Sequence, residues 1–411
     1  MPSTFAWLDY SAKERHAMLG VVDLFREKNT VDELGLGVVR DAFANALFPG
    51  TSTLHSRTRY WLFIPWLYLQ LERERTPSAK ADERARRLQA DLVRALEAGG
   101  EQEGVIGIEA RDKVLRPPAI LYWAGLERHG LRAVLGSMSR YHASLDNFYV
   151  SGGHRRSEGD ETELIDAGRR NWHAGLPPAP TDWSTRLDFT LTRPEAEYLR
   201  ERFLTSASDS FLAWGLQHPT RLAKVDFPWR HPKLSAAPVG LQAIVEAGRR
   251  FSVLMYGAML VYNLAMAERA RDTGLRDGDL ADEYRSRYER WASEQIEPEL
   301  GTLRDWDRDE FWALVSELNP GRIHGVRAFS DAFIDRVVDQ PATALDDARA
   351  RSLIAAREQR MKGSLARLHN QRALERWGGQ SGAGQLSYRW GEGRTLLNDI
   401  ASGLAQGTGD A

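Results

Sequence analysis

The sequence predicts a mainly α-helical, multi-helix chain built as two or three packed helical domains, with a small winged-helix-like element as one option. Three observations predict it. Hydroxyl side chains stand three residues ahead of a glutamate at Ser11 and Glu14, Thr30 and Glu33, and Thr192 and Glu195, the spacing of a capping box. Apolar residues recur at helical spacing, as in Met18, Val22 and Phe25, or Leu280, Tyr284, Tyr288 and Trp291. A length of 411 residues exceeds the roughly 250 to 300 that a single core supports.

The first helix follows Ser11, with Phe5, Trp7 and Leu8 available to staple onto it. Thr30 and Glu33 open a short turn that breaks at Gly35 and Gly37, and Val38 to Leu47 form a two-sided apolar helix stopped by Phe48, Pro49 and Gly50. The next helix is expected to start at Thr51 to Thr53 and to become apolar nearly all round from Tyr60, as a helix surrounded by protein does. Pro65 inside it removes a backbone donor. Pro77 and Ser78 make a joint, followed by a helix from about Asp82 to Ala98 that ends at Gly99 and Gly100.

Residues 104–131 read as a short extended piece, a basic loop with Arg111, Lys113 and Arg116, and a helix opened by Pro117 and Pro118. Two readings stand there: a helix-turn-helix-like unit of the kind that enters a major groove, or an ordinary packed pair with Tyr122 and Trp123 in the core. From Ser151 to Asp182 the chain is polar and turn-rich. Helices are expected from Pro194 to Ser206 and from Phe211 to Gln217, then a proline-rich loop, then a long buried helix from Val239 to Arg271.

Between Asp277 and Glu310 stand twelve Asp or Glu against five Arg, which reads as a solvated acidic face. The sign reverses from Arg349 to Arg376, with eight Arg or Lys against two Glu on a helix marked by Ile354, Met361, Leu365 and Leu368. Glycines cluster at 378, 379, 382 and 384 before a last docked segment and a frayed tail. The division that follows is an N-terminal helical domain at 1–77, a helical region at 78–150, a polar excursion at 151–185, a helical domain at 186–345, a basic helix with docked segment at 346–400, and a tail at 401–411.

The absence of cysteine removes disulfides, thiol nucleophiles and cysteine-ligated metals. A net charge of -2 excludes binding to nucleic acid through overall basicity, while opposed local patches remain compatible with it. The N-terminus lacks the pattern of a signal peptide, which points to a cytoplasmic address. The runs Tyr60 to Leu71 and Phe251 to Ala267 are shorter than the roughly 20 residues that span a bilayer, so both read as core helices.

The ten histidines form no metal-ligand spacing, and no nucleotide-binding fingerprint or nucleophile elbow is present, so no metal and no cofactor is expected. Anion binding is the chemistry that remains. Thr51, Ser52 and Thr53 at an expected helix start, with His55, Arg57 and Arg59 in the following turns and Arg40 from the preceding helix, suit a phosphate at the positive end of a helix dipole. The alternative is that the hydroxyls cap and the arginines pair with Asp9, Asp32, Glu33 or Asp41. Lys113 and Arg116 are further phosphate candidates, as are Arg357, Arg360, Lys362 and Arg367 on the basic helix, where Arg360 and Arg367 share a face. Trp377, Tyr388 and Trp390 stand nearby as candidate stacking planes.

The blocks FAWLDYS, DELGLGVVRDAF, FPGTSTLHSRTRYWLFIPW, RLHNQRALERWGG and SYRW with LLNDI resemble an uncharacterised bacterial family, domain of unknown function six-three-six-one, over nearly the whole chain. The resemblance implies an association with antiphage defence islands, beside helicases and phospholipase-D-type nucleases, and transfers no catalytic residue. Pro118-Ala119 departs from the serine expected after the proline of the basic loop. The expected role is a non-catalytic, nucleic-acid-engaging or adaptor subunit of a multi-component defence system, with DNA or RNA and helicase or nuclease subunits as partners and no membrane. A nuclease whose site is assembled from distant residues is the first alternative, and a purely structural scaffold the second.

Overall fold

The computed structural model describes residues 32–108, 117–151, 170–220, 222–276, 279–321 and 323–406. Helices dominate, and among these residues no β-strand occurs; Arg132 and Trp172 form an isolated antiparallel bridge. The chain divides into two compact units: the described residues up to Phe43 with Glu246–Leu386, and Ala44–Val245 with the segment from Ser387 onward. The division falls within helices α1 (Gly37–Leu47) and α8 (Val239–Asp272).

In the second unit the organising helix is α2 (Tyr60–Arg73), whose Tyr60 to Tyr68 are all buried. It is apolar on every side because α3 (Ser78–Ala98) and α4 (Pro118–Arg128) pack against it, so no side is left for water. The Trp61 indole meets Tyr122, His129 and Phe203 edge-on, with ring centroids 5.2 to 5.4 Å apart. Only glycine fits at position 125, since a Cβ there would run into the Gly50 carbonyl and the Trp61 ring. Helix α5 (Met138–Val150) packs on α3, and α6 (Arg193–Ser206) packs on α7 (Phe211–Gln217) and on α15 (Trp390–Ala405). The capping box of α6 is present: the Thr192 hydroxyl accepts from the Glu195 N–H, and Glu195 accepts from the Thr192 N–H at 2.8 Å.

The expected polar excursion carries more core than its composition suggests. Asn171 and Trp172 are buried, and their side-chain N–H groups both donate 3.0 Å bonds to Glu72, a buried carboxylate that also accepts from the Tyr141 hydroxyl. The helix expected from Asp82 already starts at Ser78.

In the first unit, Asp32 accepts from the Leu36 and Gly37 N–H groups and so caps α1. Phe43 and Phe251 both stack on Phe311 of α11 (Arg308–Leu318). Trp291, at the end of α9 (Asp279–Trp291), donates to the Val253 carbonyl and lies where a side chain at Gly257 would be. The short α10 (Leu300–Arg304) and α12 (His324–Asp339) complete this part. The acidic stretch keeps an exposed face, while Tyr284, Tyr288 and Trp291 supply its core side.

The basic helix is shorter than its pattern predicts. Helix α13 (Ala348–Lys362) ends where Gly363 takes φ +55°, and the chain resumes helix only in α14 (Gln371–Glu375). Arg360 and Arg367 therefore share no helix face. Trp377, Tyr388 and Trp390 are each about 1% exposed, so none of them offers a plane for stacking.

Helix α8 is long and apolar enough by length and composition to cross a membrane, and 83% of its most apolar window is buried within the protein. A core helix meets the same description.

Candidate phosphate-binding site

A small cleft with about 10 Å³ of room, enough for about one water molecule, opens in the second unit, lined by Thr51, His55, Ser56, Arg57 and Thr58, by Trp61 and Tyr122 from α2 and α4, and by Glu392, Thr395 and Leu396 from the first turns of α15. It contains part of the segment that the sequence singles out, with one correction to the reason. No helix starts at Thr51 to Thr53: residues 51–59 form turns, and helix begins at Tyr60. The Thr51 hydroxyl donates 2.6 Å to the Phe48 carbonyl and the Leu54 N–H donates to Ser52, so these hydroxyls close turns. A helix start does border the cleft, that of α15. Its N-cap, Arg389, has φ +62° and makes no side-chain cap, so the positive end of this helix carries no capping oxygen from that residue.

Most of the polar lining is already partnered. His55 lies flat on Tyr122, with centroids 3.9 Å apart, and bonds the Leu121 carbonyl through Nε2 and the Ser52 N–H through Nδ1. The Ser56 hydroxyl donates 2.7 Å to the Gly104 carbonyl, and its N–H donates to the Tyr122 hydroxyl. The Thr395 hydroxyl donates to the Gly391 carbonyl.

Three groups differ. The Thr58 hydroxyl is buried and has no hydrogen-bond partner, although the residue is only 2% exposed. A buried polar atom left unmade is costly, which marks it as a place where a small polar group belongs. Arg57 holds Asp399 through Nε at 3.6 Å and lies over the Phe189 ring, with no further described acceptor on its terminal nitrogens. Glu392 meets only its own backbone N–H among the described residues, and burial pushes its carboxyl above the usual range against the pull of that N–H and of Arg389.

The remaining sequence candidates lie elsewhere or serve the fold. Arg59 is buried, bonding Glu195 at 2.8 Å and Asp188 at 3.1 Å. Ser52 and Thr53 lie beside the cleft lining but outside it, and Arg40 belongs to the first unit, where it pairs with Asp41 at 3.0 Å. Lys113 and Arg116 lie outside the described residues, as do Ser11, Glu14 and Thr30. Arg357 donates to the carbonyls of Leu34, Gly35 and Gly325. Lys362 and Arg367 both pair with Glu33, and Lys362 also meets Glu358 and the Tyr262 hydroxyl. Burial and the Arg367 cation draw the Lys362 ammonium down to about 7, against the two carboxylates beside it. Arg360 is exposed.

The sequence gives no hint of Thr58 and Glu392. A threonine between two arginines carries no distinguishing spacing, and Glu392 comes from the far end of the chain. Among the described residues no cluster of His, Asp or Glu is suited to hold a metal.

The buried His129 and the half-buried His55 make this unit acid-sensitive. Burial lowers both His55 and His129 to about 4, and His129 is only 1% exposed. The neutral form stabilises the fold above the unfolded value near 6.5, and that contribution is lost as pH falls from there toward 4. At pH 5 the loss for His129 alone is expected to be about 2 kcal/mol. Urea unfolding at pH 7.5 and 5 measures it, and His129→Gln should remove about that part of the difference; an unchanged difference would refute the assignment.

Helices packed without a sheet among the described residues, with a small cleft lined by three separate segments, define a mainly α-helical protein. The chain belongs to a family of unknown function (DUF6361), which it matches over residues 2–403. No curated protein and no solved structure matches it significantly.

Proposed function

We propose that the protein is a non-catalytic subunit that engages nucleic acid through a phosphate held at the mouth of the cleft of the second unit. The observation that carries this reading is the half-buried Arg57 guanidinium at the cleft, whose terminal nitrogens have no acceptor among the described residues. The guanidinium donates, and an oxyanion at the mouth of the cleft accepts from it. The basic helix contributes less than its composition suggests, because Arg357, Lys362 and Arg367 are engaged internally.

Labelled DNA or RNA titrated at low and high salt tests the proposal. Binding through phosphates weakens steeply as salt rises, and Arg57→Glu is expected to reduce affinity about tenfold or more at low salt. Absence of binding at low salt would leave the scaffold reading. In this proposal the subunit works in the cytoplasm within a multi-component antiphage system. Pull-down with the products of neighbouring genes tests that setting, with a helicase or nuclease subunit as the expected partner.

A further inference from the structure

The proline-rich loop after α7 holds two aromatic rings near the surface with cations around them. Its sequence from Leu222 to Leu234, LAKVDFPWRHPKL, interleaves Phe227 and Trp229 with Lys224, Arg230 and Lys233. The backbone is fixed from beneath: the Val225 carbonyl accepts from Trp390 Nε1 at 2.6 Å and from Arg394 Nη1 at 3.0 Å, both on α15, and Pro228 and His231 are buried. Phe227 is extended and Pro228–Arg230 make one turn of 3-10 helix. The Phe227 and Trp229 rings lie face to face, with centroids 4.6 Å apart and planes 9° from parallel. Both are half-buried, and Tyr388 meets the Trp229 ring edge-on at 6.3 Å. Tyr388 and Trp390, too buried to stack on a ligand, thus support a pair that water still reaches.

A side chain with little to hold it covers the Phe227 ring. The Arg230 guanidinium stands over that ring at 5.6 Å and meets Asp226 at 3.7 Å, both long contacts, and the two side chains are 64% and 67% exposed. Lys224 and Lys233 are exposed as well, so from 222 to 234 three cations stand against one carboxylate. Cations beside a rigid ring pair suit a ligand that carries flat rings on an anionic chain, as nucleobases do on their phosphates. A duplex keeps its bases stacked on one another, whereas a single strand leaves them available. We propose that this loop binds single-stranded nucleic acid, a base taking the place of the Arg230 guanidinium against Phe227 while Arg230, Lys224 and Lys233 meet the phosphates. This site rests on the reading that the chain engages nucleic acid, and it uses none of the residues that line the cleft.

Fluorescence anisotropy across a salt series compares three labelled ligands: a single strand, its blunt duplex, and a strand of equal length and charge built from abasic sites. The intact strand is expected to bind about tenfold more tightly than the abasic one, the effect of one stacked base. Phe227→Leu and Trp229→Leu, which keep apolar bulk without a ring, should each weaken the intact strand about fivefold or more and leave the abasic strand and the duplex unchanged. Trp229→Phe should retain most of the affinity, and circular dichroism confirms that the variants are folded. Arg230→Ala should lower the salt slope for the intact strand by about 0.7. Equal binding of intact and abasic strands, with Arg57→Glu weakening both, would overturn the stacking site and leave the proposed function standing. A preference for the intact strand that both leucine variants retain would overturn it too. Binding lost in the leucine variants but untouched by Arg57→Glu would support the loop and remove the cleft. No binding by any of the three would end both and leave the loop to a protein partner.

Discussion

Arg59→Ala is expected to destabilise the second unit by about 3 to 5 kcal/mol, the cost of leaving a buried charge without its partner. The guanidinium bonds Glu195, which is 4% exposed on its side chain, and lies against the rings of Phe63 and Trp66. Without it, Glu195 keeps the Thr192 N–H but loses its cation. Arg57→Ala, two residues earlier, is expected to cost under about 1 kcal/mol, because that side chain is 30% exposed and its ion pair is long. Urea unfolding followed by tryptophan fluorescence compares the two. The contrast separates an arginine that holds the fold from one that the fold can spare; similar losses in both variants would show that the assignment is wrong.

The second large effect belongs to the first unit. Glu358 is fully buried and accepts from the Arg367 and Leu368 N–H groups at 2.8 and 2.9 Å, from the Tyr262 hydroxyl and from Lys362. The two backbone bonds fix the chain where it resumes after Gly363, and the carboxylate offsets two cations that Glu33 alone does not balance. Glu358→Ala orphans two N–H groups and leaves an excess positive charge, for an expected loss of about 3 to 5 kcal/mol. Glu358→Gln retains an acceptor and should lose less. If the alanine variant unfolds within about 1 kcal/mol of the wild type, the network is not what holds this segment.

Much of the fold was legible because its cues are local. The helices at 118–128, 193–206, 211–217 and 239–272 follow from proline at the first turn, a capping box, and apolar runs bounded by loops. The break at Gly363 was hidden, because Met361, Leu365 and Leu368 continue the helical spacing across it. Met361 and Leu365 prove to be 43% and 62% exposed, so that spacing does not mark a core face. Thr51 to Thr53 misled for a different reason: a hydroxyl that caps a helix in one context closes a turn in another, and the sequence is the same in both. Half of the site could be read, from Thr51 to Arg57. The other half needed the packing that brings α15 to it.

Neither unit is a continuous stretch of sequence, and this sets a constraint on how the protein is made. The helix that carries Glu392, Thr395 and Leu396 leaves the ribosome only after residues 246–386 of the first unit, and the second unit cannot close its core until Phe48 and Phe211 meet Trp390. Helix α2, apolar on every side from Tyr60 to Tyr68, must wait for that whole insertion to be made before closure. A chain that stops before Ser387 therefore loses the α15 wall of the cleft together with part of its core, and premature termination is expected to yield an aggregation-prone product.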